Sequence, residues 1–518
     1  MRWVFHRCKK EPMMFRVEIM DTTLRDGEQT SGVSFMPHEK LLIARQLLQE
    51  VRVARIEVAS ARVSSGEKKS VTDICAWAAK NGCLDRVEVL GFVDGTTSAD
   101  WIASCGGRVM NLLAKGSERH CSGQLGKSLE EHAADIRATI EYARSLGLAV
   151  NLYLEDWSNG MKDSPDYVFA LVEALLDCGP SRFMLPDTLG VLSPTQVKAY
   201  VSAMVERFPG VHFDFHAHND YDLAVANTLA AVEAGCRGVH TCVNGLGERA
   251  GNAPLASVVA TLADMAKATT GIDESRLREV SRLVSSYAAM PIPANRPIVG
   301  DNVFTQVAGV HADGDKKNNL YCNDLLPERF GRKREYALGK TSGKANILKN
   351  LESLHLNLTA EQTRRVTDRI IELGDKKEAV TQEDLPFIVS DVVGHDITSG
   401  NVRLLSYMVS TAHGLRPTAA VKLEIKGKVY EAQASGDGQY DAFVRAVRHI
   451  VRDNLQMEFP WLSDYSVTIP PGGRTDALVQ TRIDWDWDGR TIHTRGLDAD
   501  QVEAAIKATM KMLNTIVQ

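Results

Sequence analysis

The strongest constraint on this chain is an alternation. Eight short strand-like runs, Phe15 to Asp21, Val53 to Ser60, Val87 to Val93, Val109 to Ala114, Ala149 to Glu155, Phe183 to Thr188, His212 to His218 and Gly238 to Asn244, are interleaved with amphipathic stretches. Those stretches include His38 to Gln49, Glu130 to Leu146, Pro165 to Leu176 and Leu223 to Ala234. Parallel strands need a crossover of a dozen or more residues between them, and a helix supplies it. Eight such units in series predict an α/β fold, a closed (β/α)8 TIM barrel. An open doubly wound sheet is the rival, and the regular count favours closure.

A closed barrel collects its chemistry where strands end and loops begin, at the carboxyl-terminal rim. Arg25 and Asp26 follow run one, Glu155 closes run five, Thr188 closes run six, and His216 and His218 close run seven. Residues two apart in a strand share a face, so both imidazoles can reach one cation, with Asp26 completing the set. A bare His-x-His reads more simply as hydrogen-bonded barrel histidines. Asp26, and Asn252 at a matching rim position, turn the reading toward a divalent ion (Zn, Mn or Mg) with positions open to substrate. Arg25 places a permanent cation beside it, suited to a developing oxyanion, with Glu155 as its expected partner; a structural ion pair is the alternative. The loop Gly245 to Asn252 lacks the lysine and following hydroxyl residue of a phosphate loop, so its glycines read as devices for tight folding.

After Pro297 the sequence becomes irregular, a lid or linker carrying His311 and Tyr321 as candidate base and acid on a closing loop. A capping box, Thr359-Ala360-Glu361-Gln362, opens a helix to about Leu373, and another helix is expected near Gln382. From about Leu404, strands at Ala419 to Ile425, Val429 to Ala434, Tyr465 to Ile469, Ala477 to Trp485 and Thr491 to Thr494, with helices from Tyr440 and Asp498, predict a separate α+β domain built from two similar units. The expected partition is an extension over 1–14 with Met13 or Met14 as the start, a barrel over 15–300, a linker and lid over 301–403, and a carboxyl-terminal domain over 404–518.

Composition narrows the partners. A net charge of −6 and pI near 6.2 argue against nucleic acid or an anionic membrane as the main partner, and no run offers the roughly 18 apolar residues of a membrane span. Nine scattered cysteines, never spaced Cys-x-x-Cys, fit reduced thiols and a cytoplasmic setting.

Asp21 to Gln29, Phe215 to Asp220 and Asn244 to Asn252 together resemble the signature of the DRE-TIM metallolyases. Within that group the chain is similar, from Phe15 to its end, to the acetyl-CoA-using isopropylmalate, homocitrate and citramalate synthases. Leu90 to Gly95, Asn111 to Gly116, Tyr153 to Gly160 and the stretch His311 to Gly343 resemble the citramalate branch. The resemblance implies an acyltransferase joining acetyl-CoA to a small 2-oxo acid, pyruvate, for isoleucine biosynthesis, with isopropylmalate synthase as the alternative. It implies that Asp26, His216 and His218 hold the metal with Asn252 nearby, and that Arg25, Glu155, His311 and Tyr321 are catalytic. It implies that Leu90, Leu113 and Tyr153 line the oxo-acid pocket and that Thr188 binds the carboxylate. It further implies a homodimer in which one subunit's linker reaches the other's barrel, and a regulatory carboxyl-terminal domain. Isoleucine is the expected inhibitor there, with Tyr440, Asp441 and Tyr465 as candidate contacts; a purely dimerising domain is the alternative.

Overall fold

The structure is a computed structural model, and it describes residues 15–306, 323–338, 344–353, 358–375, 385, 388, 389, 401–468, 479–498 and 500–517. The expected extension over 1–14, His311, Tyr321 and the helix start near Gln382 lie outside the described residues.

All eight runs are strands: β1 (Glu18–Asp21), β2 (Arg55–Ser60), β3 (Val87–Phe92), β4 (Val109–Lys115), β5 (Ala149–Glu155), β6 (Phe183–Asp187), β7 (Phe213–Ala217) and β8 (Gly238–Thr241). They pair in parallel, each with the next, and β1 also pairs with β8, so the sheet closes as a barrel. The first run begins three residues later than expected, and the eighth ends at Thr241 before a single 3-10 turn at Val243–Gly245. Helix starts follow local chemistry. Before the helix Leu129–Ser145, Ser128 Oγ accepts from Glu131 N–H at 3.2 Å, while Glu131 Oε2 accepts from Ser128 N–H at 2.9 Å, satisfying two otherwise orphaned donors. The helix Pro37–Arg45 runs on into a π-helical segment, Gln46–Val51, which Arg52 ends in the left-handed region.

The main core lies between strands and helices, with Ile19, Ile43, Val58, Ile136, Leu152 and Leu171 fully buried. The inside of the barrel is different, because charged and amide side chains from several strands meet there away from water. Arg55 on β2 pairs with Glu88 on β3 at 2.9 Å and with Asp214 on β7 at 2.5 Å. Burying such groups unpaired would cost several kcal/mol each, so their partners are structural necessities.

Residues to Phe304, with the segment ending at Arg334, form one compact unit; Thr305 onward and Glu335 to the end form a second. The basic stretch 329–334 is packed within the barrel unit. Arg329 pairs with Asp264 at 2.6 Å and with Glu274, and Arg332 donates to the Gly300 and Asp301 carbonyls at 2.6 and 2.8 Å.

The second unit holds a two-strand parallel pair, β9 (Thr305–Gln306) with β10 (Glu335–Tyr336), and the expected helix at Ala360–Asp375. Thr359 and Gln362 form its reciprocal cap at 2.9 and 3.2 Å. Further on, β11 (Val402–Ser410), β12 (Thr418–Ile425) and β13 (Lys428–Ser435) form one antiparallel sheet followed by the helix Gln439–Leu455. β14 (Trp461–Thr468), β15 (Val479–Trp487) and β16 (Arg490–Asp498) form another, followed by the helix Gln501–Ile516. The duplication is thus three strands and a helix, twice. β11 was not expected, and β14 begins four residues early, because both are edge strands with mostly exposed side chains and no apolar alternation to mark them. Among the described residues no helix is long and apolar enough to cross a membrane.

Candidate metal centre

The parallel register sets the site. β7 carries His216 inward at its end and His218 follows one turn of the pleat later, so their rings meet edge to face at 5.0 Å. Asp26 arrives from the loop after β1. Donor atoms of Asp26, His216 and His218 all lie within 4.8 Å of one another, and all three residues are buried. His216 Nε2 is 3.4 Å and His218 Nε2 is 3.9 Å from Asp26 Oδ2. His218 also bridges to Asn252 through an isolated antiparallel contact, which brings Asn252 to the same rim. Gly247 lets that happen: its φ of +152° suits glycine, and a Cβ there would lie 2.2 Å from Asn252 Nδ2.

The electrostatics suit a cation. Burial alone would raise the Asp26 carboxyl, but Arg25 and the two imidazoles outweigh it, and Asp26 stays ionised far below the usual carboxylate range. Burial pushes both histidines down, toward the neutral form that ligates metals. Asp26 Oδ1 and Asn252 Oδ1 are buried without hydrogen-bond partners. Two imidazoles, one carboxylate and unsatisfied oxygens form a donor set that fits a divalent ion.

Arg25 is where the sequence reading needs correction. Its partner is Glu57 on β2, at 2.6 Å, together with Asp26 at 2.9 Å; Glu155 does not hold it. Glu155 is paired instead with Lys115, directly opposite it in the β4–β5 register. Glu57 is fully buried and also accepts from Thr22 Oγ1 and Asn111 Nδ2, both at 2.8 Å. Burial would lower the Arg25 guanidinium, but Glu57 and Asp26 more than offset this and hold it charged.

Leu90, Tyr153 and the partly buried Leu113 pack together in one cluster, which Met20 and Met184, not singled out in the sequence, complete. The Tyr153 hydroxyl lies 3.4 Å from Arg25 Nη2, its ring 6.3 Å and edge-to-face from His216. Thr188 follows β6, where its hydroxyl accepts from Asp156 N–H at 3.0 Å and its carbonyl accepts from Arg249 at 2.8 Å. A cavity of ≈ 280 Å³ adjoins the glycine loop, lined by Asn219, Gly247, Arg249, Met290 and Arg296 among others; none of the three donor residues lines it, so it neighbours the ion site without being its seat. In the second unit Tyr440 and Tyr465 come together, rings 5.4 Å apart, and Tyr440 shares a 2.7 Å hydrogen bond with Thr509. Asp441 is engaged by Arg445 at 2.9 Å and by Asp437 N–H at 2.8 Å.

The fold and these donors define a parallel-barrel protein with a candidate metal site and an appended α+β unit. The chain belongs to the HMGL-like family, whose profile matches residues 16–284; a homocitrate synthase post-HMGL domain-like profile matches 298–378 and a LeuA allosteric (dimerisation) domain profile matches 379–517. The family resemblance drawn from the three motifs is borne out. In Methanocaldococcus jannaschii the chain is similar to a 2-isopropylmalate synthase, 35% identical with 97% of this chain and 95% of the relative covered. It is likewise similar to an (R)-citramalate synthase of that organism, 34% identical with 96% and 99% covered.

Proposed function

We propose that the protein condenses acetyl-CoA with pyruvate and water, giving (R)-citramalate and CoA. The observation that carries this reading is the cluster of Leu90, Leu113, Tyr153, Met20 and Met184 packed beside Arg25. Such a floor accommodates a methyl group. Forcing a branched 2-oxo acid into it costs roughly 1–3 kcal/mol, about ten- to hundredfold in selectivity. A relative named 2-isopropylmalate synthase, at 35% identity beside 34% for the citramalate synthase, supports a second reading in which the branched 2-oxoisovalerate is the acceptor.

Asp26, His216 and His218, with Asn252 beside them, are the residues that would hold a divalent ion. Such an ion supplies Lewis-acid polarisation of the acceptor's ketone. Arg25, oriented by Glu57, faces the ketone oxygen as it gains charge, and Thr188 binds the acceptor's carboxylate. The acetyl methyl group loses a proton, its carbon bonds to the ketone carbon, the oxygen takes up a proton, and water cleaves the thioester. Proton removal is assigned to His311 with Tyr321, with Glu155 also catalytic, the roles that the family resemblance implies. Isoleucine acts through the second unit at Tyr440, Asp441 and Tyr465, and the protein is a cytoplasmic homodimer.

Thiol release from acetyl-CoA with a panel of 2-oxo acids tests the reading. Pyruvate should be preferred; preference for 2-oxoisovalerate transfers the assignment to the second reading, and an Asp26→Ala variant with full activity contradicts both. Isoleucine inhibition that survives removal of the residues after Leu404 contradicts the regulatory assignment.

A further inference from the structure

Tyr153 is tied to a chain of buried polar groups that crosses the barrel interior. Its hydroxyl lies 3.0 Å from His240 Nδ1 on β8, as well as 3.4 Å from Arg25 Nη2. His240 Nε2 lies 3.2 Å from Asp214 Oδ2 on β7. Asp214 has no exposed surface, and the Arg55 guanidinium pairs with its Oδ2 at 2.5 Å, so it sits there as a carboxylate held by a cation.

The partners fix the donor order. An ionised Asp214 only accepts, so the proton between it and His240 sits on Nε2. Arg25 only donates, so the Tyr153 oxygen accepts from it, and the one hydroxyl proton is left for His240 Nδ1. With the proton on Nε2 and Nδ1 accepting, His240 satisfies both ends of this chain. His240 is itself held by edge-to-face contacts with Tyr153 and His216, each at 5.5 Å.

The geometry points to His240 and Asp214 as positioning residues that pin Tyr153 and so keep the acceptor pocket small. Two of the four buried residues in the Tyr153 cluster are methionines, Met20 and Met184, which repack around a displaced neighbour at little cost. Apolar packing alone therefore holds the ring weakly. The hydroxyl bond to His240, with Asp214 behind it, is the contact that selects one ring position. Freed from it, the ring can swing aside and open space for a longer acceptor. This inference rests on the acceptor pocket described under the proposed function, and neither residue is assigned a contact with substrate.

The test compares thiol release with pyruvate and with 2-oxobutyrate, one methylene longer, as a ratio of kcat/KM values. His240→Leu should lower the pyruvate preference by about tenfold, the range one methylene commands. Tyr153→Phe should do the same, and the double variant should be no worse than either single, because both remove one contact. His240→Asn, whose amide oxygen can accept from Tyr153, should restore much of the preference. An unchanged ratio in His240→Leu, or additive losses in the double variant, overturns the inference. Should His240→Leu fail to fold, an unchanged ratio in Tyr153→Phe overturns it equally. A wild-type protein that releases no thiol with any 2-oxo acid defeats the proposed function and this inference with it; an active wild type with unmoved ratios defeats this inference alone.

Discussion

Replacing Glu57 with glutamine tests whether Glu57, rather than Glu155, holds the guanidinium at the site. Glu57 Oε2 accepts from Arg25 at 2.6 Å and Thr22 at 2.8 Å, and Oε1 accepts from Asn111 Nδ2 at 2.8 Å. A glutamine can keep its oxygen toward Arg25 and Thr22, but its NH2 then faces the Asn111 NH2. Asn111 cannot simply flip, because its Oδ1 accepts from Asn151 Nδ2 at 2.8 Å, and Asn151 Oδ1 accepts from Arg182 Nε at 3.3 Å. The donor direction of the row is fixed from one end to the other. One unsatisfied buried donor costs about 1–3 kcal/mol, and leaving the buried guanidinium of Arg25 against a neutral oxygen in place of a carboxylate brings the loss toward the roughly 3–5 kcal/mol of a broken buried ion pair. Chemical denaturation should therefore show Glu57→Gln less stable by roughly 3–5 kcal/mol, with thiol release reduced by about a hundredfold as Arg25 loses its orientation. Glu155→Gln breaks only a partly exposed pair with Lys115 and should stay within about 1 kcal/mol of wild type. A Glu57→Gln protein as stable as wild type, or a Glu155→Gln protein that is the less stable of the two in denaturation, would refute the reasoning.

Divalent ion at about a hundred times its Kd should stabilise the wild type by about 2.7 kcal/mol in thermal melts, and Asp26→Ala should lose that gain, as should any sample stripped with a chelator. Asp21 is buried, its carboxyl accepting from Thr23 N–H at 3.0 Å and Thr241 Oγ1 at 3.5 Å, and burial pushes it up to about 7. The folded state then holds a proton that the unfolded chain releases near pH 4, so this contribution to stability is complete in acid and lost as pH rises through about 7. Asp21→Asn should flatten the fall in Tm between pH 5 and pH 8, a difference on the order of a few kcal/mol; an unchanged slope contradicts the assignment. At Gly496 a Cβ would lie 1.8 Å from the Ala504 carbonyl, so Gly496→Ala must displace the helix Gln501–Ile516. It should cost about 1–3 kcal/mol and raise amide exchange along that helix while leaving the barrel strands protected.

The barrel was legible because βα alternation is written in local pattern, and the donor triad because strand ends fall at one rim. What pattern could not supply is which inward charge faces which. In β2 the alternation puts Arg55 and Glu57 on the inner face and Ile56 and Val58 toward the helices, so an acid and a base inside an apolar run were the available signal. Register turns that signal into structure: Glu57 lies opposite Glu88 across β2 and β3. Two buried carboxylates side by side are tolerable only with separate cations, and the fold provides Arg25 for one and Arg55 for the other. Glu155 looked the better partner for Arg25 because it ends a strand at the functional rim, but the β4–β5 register sets Lys115 against it first. The same logic explains why Tyr153 could be singled out from the sequence while His240 and Asp214 behind it could not. A single strand carries Tyr153, whereas the hydrogen-bonded chain joining Arg25, Tyr153, His240 and Asp214 draws on the loop after β1 and on β5, β8 and β7, and exists only once the barrel has closed.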